Sequence, residues 1–235
     1  MAIQDTTGAS IAGTQLYNDI LAVAMVAENM KFIEVGAGIG DGITRALIRG
    51  MLSKPNAMNP GSGLQLHCIE LSEEKYQLLQ SELSPYGVFS FAHNGVSADL
   101  SWYMSEEAVR EFYHSKKTRA SERPVEVILS SRSKELEYID SKGESFSQNI
   151  LNEIKGVYGI PDVLVMNGSE FTSVQEMELM IGARYIVLIQ NDNLKNYDNH
   201  NALLGSESGY RLVIEGQSRL GGYSIFRILE LEEGP

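Results

Sequence analysis

The feature that most constrains this chain is the stretch Lys31–Leu47, KFIEVGAGIGDGITRAL. Phe32, Ile33 and Val35 read as a buried strand, Gly36-Ala37-Gly38-Ile39-Gly40 as a turn that needs backbone freedom, and the remainder as a helix. Asp41 is placed to cap that helix, and Ile43, Ala46, Leu47, Gly50 and Met51 fall at helical spacing on one buried face. A strand, glycine turn and helix in this order let a ligand lie against bare backbone and aim helix N–H groups at it. Dinucleotide sites of this kind use G-x-G-x-x-G, and in that register Asp41 takes the third glycine's place, a carboxylate beside a pyrophosphate. The spacing present is Glu34-x-Gly36-x-Gly38-x-Gly40, with an acid at the strand's end, which suits a ligand carrying a cationic amino group. The bland alternative is a glycine turn that binds nothing, and the flanking pattern speaks against it.

A chain of 235 residues suits one large domain, or one domain with an insertion, and can bury a full core. A net charge of −12 repels a phosphate backbone on average, and the one dense basic run, Lys116-Lys117-Thr118-Arg119, is too short to reverse this. Nucleic acid is therefore not an expected partner. The single cysteine, Cys68, excludes an internal disulfide and sits in an apolar strand, and no Cys/His spacing suggests zinc. With no basic residue before Lys31, no secretory signal is visible, and the longest apolar run, Ile20–Ala27, is far short of a membrane span. A cytoplasmic protein with no membrane partner is expected. Whether copies of the chain associate into a homo-oligomer is left open.

Other segments alternate strand and helix. From Thr14 a helix turns Leu16, Ile20, Leu21, Ala24 and Met25 inward, packs over the sheet and is placed to close a ligand site from above; residues 1–30 form an N-terminal cap. Leu64–Leu71 is a second strand ending in Glu70, after which Ser72 caps a helix with Glu73 and Glu74 in its first turn. Val88–His93 is a third strand. Ser105 caps a further helix, Pro124–Leu129 reads as a short strand, and Leu136 and Ile139 mark another short helix. Ser145-x-x-Gln148 and Ser173-x-x-Glu176 read as capping boxes. Asp162–Met166 and Tyr185–Ile189 are the fourth and fifth strands; Lys195–Leu204 is a short helix, and Tyr210–Ile214 and Tyr223–Leu229 form an antiparallel pair. Residues 99–145 exceed an ordinary crossover and are expected to supply a helical lid insertion.

The Glu34–Gly40 motif resembles the first motif of class I S-adenosylmethionine-dependent methyltransferases. The resemblance implies a single α/β domain over 1–235 with a Rossmann-like class I methyltransferase fold: a seven-stranded, mostly parallel sheet, helices on both faces, and the cofactor S-adenosyl-L-methionine across the strand carboxyl ends. Glu34, Gly36, Ala37, Gly38, Gly40 and Asp41 then face the cofactor, Glu70 takes the ribose position with Leu71 beside it, Asn94 and Val96 line the adenine pocket, and Asn167 lies at the fourth strand's end. Ser101-Trp102, Glu111-Phe112-Tyr113, Gly168-Ser169-Glu170-Phe171-Thr172, Tyr185-Ile186-Val187-Leu188, Lys195-Asn196-Tyr197 and Gly221-Gly222-Tyr223-Ser224-Ile225-Phe226 are similar to the FkbM-type methyltransferases of bacterial glycan and natural-product clusters. That implies an O-methyltransferase whose small-molecule acceptor is a sugar or natural-product hydroxyl.

The chain departs from that family at two places. Asn167 stands where similar proteins carry an aspartate, and Ile189 and Gln190 stand in place of an Asp-Asp pair. Hard cations want charged oxygen ligands, so no tightly bound Mg²⁺ and no metal site are expected. Glu170 is then the first candidate for general base, His114 the second, and Lys195 a group to orient the acceptor. The replaced carboxylates also motivate a competing reading, a cofactor-binding regulatory protein without catalysis. An NAD-linked oxidoreductase is disfavoured by Asp41 and by the extra glycine at position 40.

Overall fold

The computed structural model describes residues 11–28, 31–144, 146–219 and 221–229. The seven strands are β1 (Lys31–Val35), β2 (Gln65–Glu70), β3 (Ser90–Asn94), β4 (Val163–Met166), β5 (Tyr185–Ile189), β6 (Tyr210–Ser218) and β7 (Gly221–Ile228). They form one sheet in the order β3-β2-β1-β4-β5-β7-β6, with β7 antiparallel to both of its neighbours and the first five strands parallel. The chain builds outward from β1 through β2 to β3, then returns to place β4 on β1's other side. The carboxyl ends of β1 and β4 therefore diverge into a crevice, the place where sheets of this kind bind ligands.

Alternation along the strands divides the core into two layers. Phe32, Leu66, Cys68, Val163 and Val187 face α1 (Gln15–Val26), α2 (Ile43–Leu52) and α3 (Glu73–Leu83), through Leu16, Ile20, Leu47, Met51 and Leu79. Ile33, Val35, Ile69, Leu164, Ile186 and Leu188 face α6 (Ile150–Tyr158), α7 (Ser173–Met180) and α8 (Tyr197–Leu204), through Leu151, Ile154, Met180 and Leu203. Between β3 and α6 lie α4 (Glu106–Ser115) and α5 (Val125–Ser141), whose Val109, Phe112, Val125, Ile128 and Leu129 make a third cluster with Phe171 and Leu194 from the turns after β4 and β5. Ser72 and Ser105 cap α3 and α4 through their hydroxyls, as expected, and Thr14 caps α1 in the same way.

Several local expectations are corrected. Pro124–Leu129 is not a strand: it opens α5, and the short helix at Leu136–Ile139 is the same helix continued. Val125, Ile128 and Leu129 fit helical spacing as well as an apolar run, and their contacts with Phe171 and Leu194 select the helix. Asp41 does not cap α2; Gly42 holds that position and no side-chain bond is made. Ser145 lies outside the described residues, and α6 begins at Ile150 behind Asn149 in the left-handed region. Thr172, not Ser173, precedes α7. Met25 is half exposed rather than buried. Helix α1 lies against α2 and β6, tied at the carboxyl end of β5 by the Tyr223 hydroxyl donating to Asp19 at 2.6 Å. Among the described residues no helix is long and apolar enough to cross a membrane.

The α1–α2 contact is close because Gly50 has no side chain: a Cβ there would lie 2.4 Å from the Ala24 Cβ and 2.8 Å from the Leu21 carbonyl oxygen. Helix propensity favours alanine over glycine by about 1 kcal/mol, but overpacking against a neighbouring backbone costs about 1–3 kcal/mol. Gly50→Ala is therefore expected to lower stability, read as a lower urea midpoint with an unchanged slope.

Candidate functional site

The turn after β1 is bound to the end of the next strand. The Gly36 and Ala37 N–H groups both donate to the Ile69 carbonyl, at 2.9 and 3.1 Å. Gly36 (φ +76°) packs against the turn after β4, where a Cβ would lie 2.3 Å from the Asn167 carbonyl oxygen. On the other side of that seam, a Cβ on Gly168 would lie 2.6 Å from a Val35 methyl carbon. Only glycine fits at either position. Gly38 (φ +61°) differs, since a Cβ there meets nothing within 4 Å and would project into open space. That space is a cavity of about 570 Å³ whose wall includes Gly36–Gly38, Asp41, Glu70, Leu71, Val96, Asn167 and Lys195.

Glu70, at the end of β2, is held by two backbone donors: Gly38 N–H reaches one carboxylate oxygen and Ser72 N–H the other, each at 2.8 Å. A carboxylate fixed in this way at a cavity wall can accept hydrogen bonds from a pair of ligand hydroxyls. Glu34 lies in the cavity floor, 1% exposed, where it accepts from the Thr44 hydroxyl at 2.7 Å. Burial pushes its carboxyl up to about 7, with the nearby Glu70 adding to the effect and the Thr44 bond opposing it. Cys68 beside it is fully buried, and its thiol is raised by burial and by Glu34.

The expected site residues sort into two groups. Glu34, Gly36, Ala37, Gly38, Asp41, Glu70, Leu71, Val96, Asn167 and Lys195 meet around the one cavity. Gly40, Asn94, Glu170 and His114 do not line it. Gly40 accommodates α3, where a Cβ would crowd Leu79 and Glu82. Asn94 donates its amide to the Glu70 and Leu71 carbonyls at 2.9 and 3.2 Å and so supports the β2 end from behind. His114 is exposed at the end of α4, edge-on to the Tyr113 ring. Glu170 is half-buried next to Lys195.

Opposite the glycine turn the cavity wall is polar. Lys195, 8% exposed, donates to the Asn167 carbonyl at 3.1 Å, which sets its ammonium beside the Gly36 seam. Burial pushes this amine down from its ordinary value, against the pull of Glu170, Glu135, Glu176 and Glu70. Glu176, read from sequence as half of a capping box, is fully buried. One oxygen accepts from the Ser97 and Thr172 hydroxyls, and the other has no partner among the described residues. Glu135 from α5 also lines the cavity and accepts a hydrogen bond from the Tyr103 hydroxyl. Glu135 carried no sequence signal, because it lies in the segment whose secondary structure was ambiguous.

The β4 and β5 ends are joined by Asn196, whose amide donates to the Met166 and Ile189 carbonyls at 3.0 and 2.7 Å. Ile189 is fully buried, and Gln190 adopts a left-handed φ of 61° outside the cavity wall. Among the described residues no group of three or more His, Cys, Asp or Glu side chains is placed to hold a metal ion.

Solved structures share this architecture. Cofactor-bound Rv0187 from MTB superposes with a TM-score of 0.53 at 13% identity, over 92% of this chain and 81% of its own. An O-methyltransferase from Bacillus cereus in complex with SAH superposes with a TM-score of 0.52 at 10% identity, again over 92% of this chain and 81% of its own. The likeness is one of fold: α/β, Rossmann-like, as in methyltransferases. No family model and no curated protein matches the sequence.

The buried Glu34 gives a signed pH expectation. Its carboxyl titrates at about 7 when folded against 4.5 as a free side chain, so between those values the folded chain holds a proton that the unfolded chain has lost. This contribution falls as pH rises through that window, by on the order of 3 kcal/mol in total. The stability difference between wild type and Glu34→Gln, from urea melts at pH 4.5 and pH 8, should shift by that amount in favour of the variant at high pH. An unchanged difference would place Glu34 in solvent contact.

Proposed function

We propose that this protein is an S-adenosylmethionine-dependent O-methyltransferase, of the FkbM type, acting on a sugar or small natural-product hydroxyl. The observation that carries this reading is the Glu70 carboxylate, fixed by Gly38 and Ser72 N–H groups at the wall of the cavity that the bare Gly36–Gly38 backbone opens. The residues present fit the cofactor. A side chain at Gly38 would fill the space the ligand needs, and the wall carries Glu34, Asp41, Glu70 and Glu74, suiting a ligand with ammonium and sulfonium charge. Gly36, Ala37, Gly38, Glu34 and Asp41 would hold its amino-acid end, Glu70 its ribose hydroxyls, and Leu71 and Val96 its base; Asn167 closes the seam beside them. When bound, the cofactor supplies a methyl group on a positively charged sulfur.

The chain's own work is to align an acceptor oxygen and remove its proton. Lys195 donates toward that oxygen from the polar wall, and Glu170 next to it serves as counter-charge to the buried ammonium. Tyr103 and Glu135, from the segment between β3 and α6, face the acceptor from that wall. The similarity of Gly168–Thr172 and Gly221–Phe226 to FkbM-type proteins supports a hydroxyl acceptor.

Calorimetry on the purified chain tests the reading: S-adenosylhomocysteine binds and NAD does not. At 100 times its dissociation constant the ligand adds about 2.7 kcal/mol to stability. Glu70→Ala is expected to lose at least tenfold in affinity while keeping its far-ultraviolet circular dichroism. Binding without methylation of any hydroxyl acceptor would favour a non-catalytic cofactor-binding protein; no binding would remove both readings.

A further inference from the structure

The polar wall draws side chains from four separate parts of the chain. Tyr103 follows the short turn at Leu100–Trp102, Glu135 lies within α5, Ser169 follows β4 and Lys195 follows β5. All four line the same cavity as Gly36–Gly38. The other carboxylates near Lys195 are held by backbone donors or lie off this part of the wall. Glu70 is fixed by two backbone donors, and Glu176 sits behind the wall with the Ser97 and Thr172 hydroxyls. Glu170 does not reach the wall. Asp41 and Glu74 belong to the side formed by the turn into α2 and by α3. Glu135 is the carboxylate that the wall presents to the Lys195 side of the cavity, and the Tyr103 hydroxyl orients it.

We propose that Glu135 is the general base that takes the proton from the acceptor hydroxyl, and that Tyr103 is the positioning residue for its carboxylate. This rests on the methyltransferase reading. As the acceptor O–H bond breaks, its proton passes to a Glu135 oxygen and the acceptor oxygen's electron pair forms the new bond to the methyl carbon. The pair of the broken carbon–sulfur bond stays on sulfur, and Glu135 later returns its proton to water. Burial raises the Glu135 carboxyl above the ordinary range, with Ser169, Tyr103 and Lys195 opposing and Glu170 assisting, so the group is a stronger base than an exposed glutamate. Tyr103 in turn is held neutral by burial and by the adjacent Glu135, which keeps it a donor.

The test uses the full chain with S-adenosylmethionine, and methyl glycosides of glucose, mannose and galactose as acceptor probes. Glu135→Gln should lose at least a hundredfold in turnover and the acidic limb of its pH–rate profile, while S-adenosylhomocysteine affinity by calorimetry stays within threefold. In the S-adenosylhomocysteine complex, the infrared difference between wild type and Glu135→Gln should show one carboxyl whose titration midpoint matches that limb. Tyr103→Phe should keep measurable turnover with the limb moved to higher pH, because a hydrogen bond to the ionised carboxylate is lost. Glu135→Asp should keep the limb at a lower rate.

Turnover and pH profile unchanged in Glu135→Gln would overturn the proposal. Loss of S-adenosylhomocysteine affinity together with turnover would do the same and make the Tyr103–Glu135 bond a strut for α5. A wild-type chain that binds S-adenosylhomocysteine yet methylates none of the glycosides would also overturn it. Failure of the wild type to bind S-adenosylhomocysteine at all is a separate result, and it removes the methyltransferase reading itself.

Discussion

The site depends on a close approach of two turns at positions that carry no side chain of their own. Gly36 and Gly168 bring the turn after β1 against the turn after β4 so closely that a single Cβ on either would overlap its neighbour. That contact sets where the crevice begins. Gly38 then lies one step beyond the seam with its N–H turned to Glu70, and Asn167 directs its carbonyl to Lys195. Both walls are therefore placed by backbone, and small errors there would displace the carboxylate and the ammonium together.

The second physical theme is charge removed from water. Glu34, Glu176 and Lys195 are each less than a tenth exposed, and their carboxyls are raised and amine lowered by burial. Groups poised in this way are costly to stability and are concentrated where a chain handles protons or charged ligands. Here Glu34 and Lys195 line one cavity and Glu176 sits behind its wall, while the bulk of the core beneath is two apolar layers. The third apolar cluster, under α4 and α5, seats Phe171 and Leu194 and so couples the helical segment to the turns after β4 and β5.

Legibility followed the range of the interaction. The parallel strands, the glycine turn and the Ser72 and Ser105 caps depend on residues close in sequence, and all were readable. Pro124–Leu129 was not, because a six-residue apolar run with β-branched side chains satisfies strand and helix alike until its packing partners are known. Glu176 illustrates the same limit at the site. Its spacing from Ser173 matches a capping box, yet its carboxylate turns inward to Ser97, 79 residues away in sequence. Gly40 and Asn94 were expected at the cofactor; neither lines the cavity, and their geometry accommodates α3 and supports the β2 end.

By itself the sequence determined the layered α/β plan, the switch point at β1 and the pairing of a bare turn with an acid at the next strand's end, because hydrophobic period, glycine spacing and capping chemistry are local. Only the tertiary structure decided that Tyr103, Glu135, Ser169 and Lys195 share a wall and that His114 stands apart from it. Those positions are joined by packing between segments, and no spacing rule along the chain encodes a distance across it.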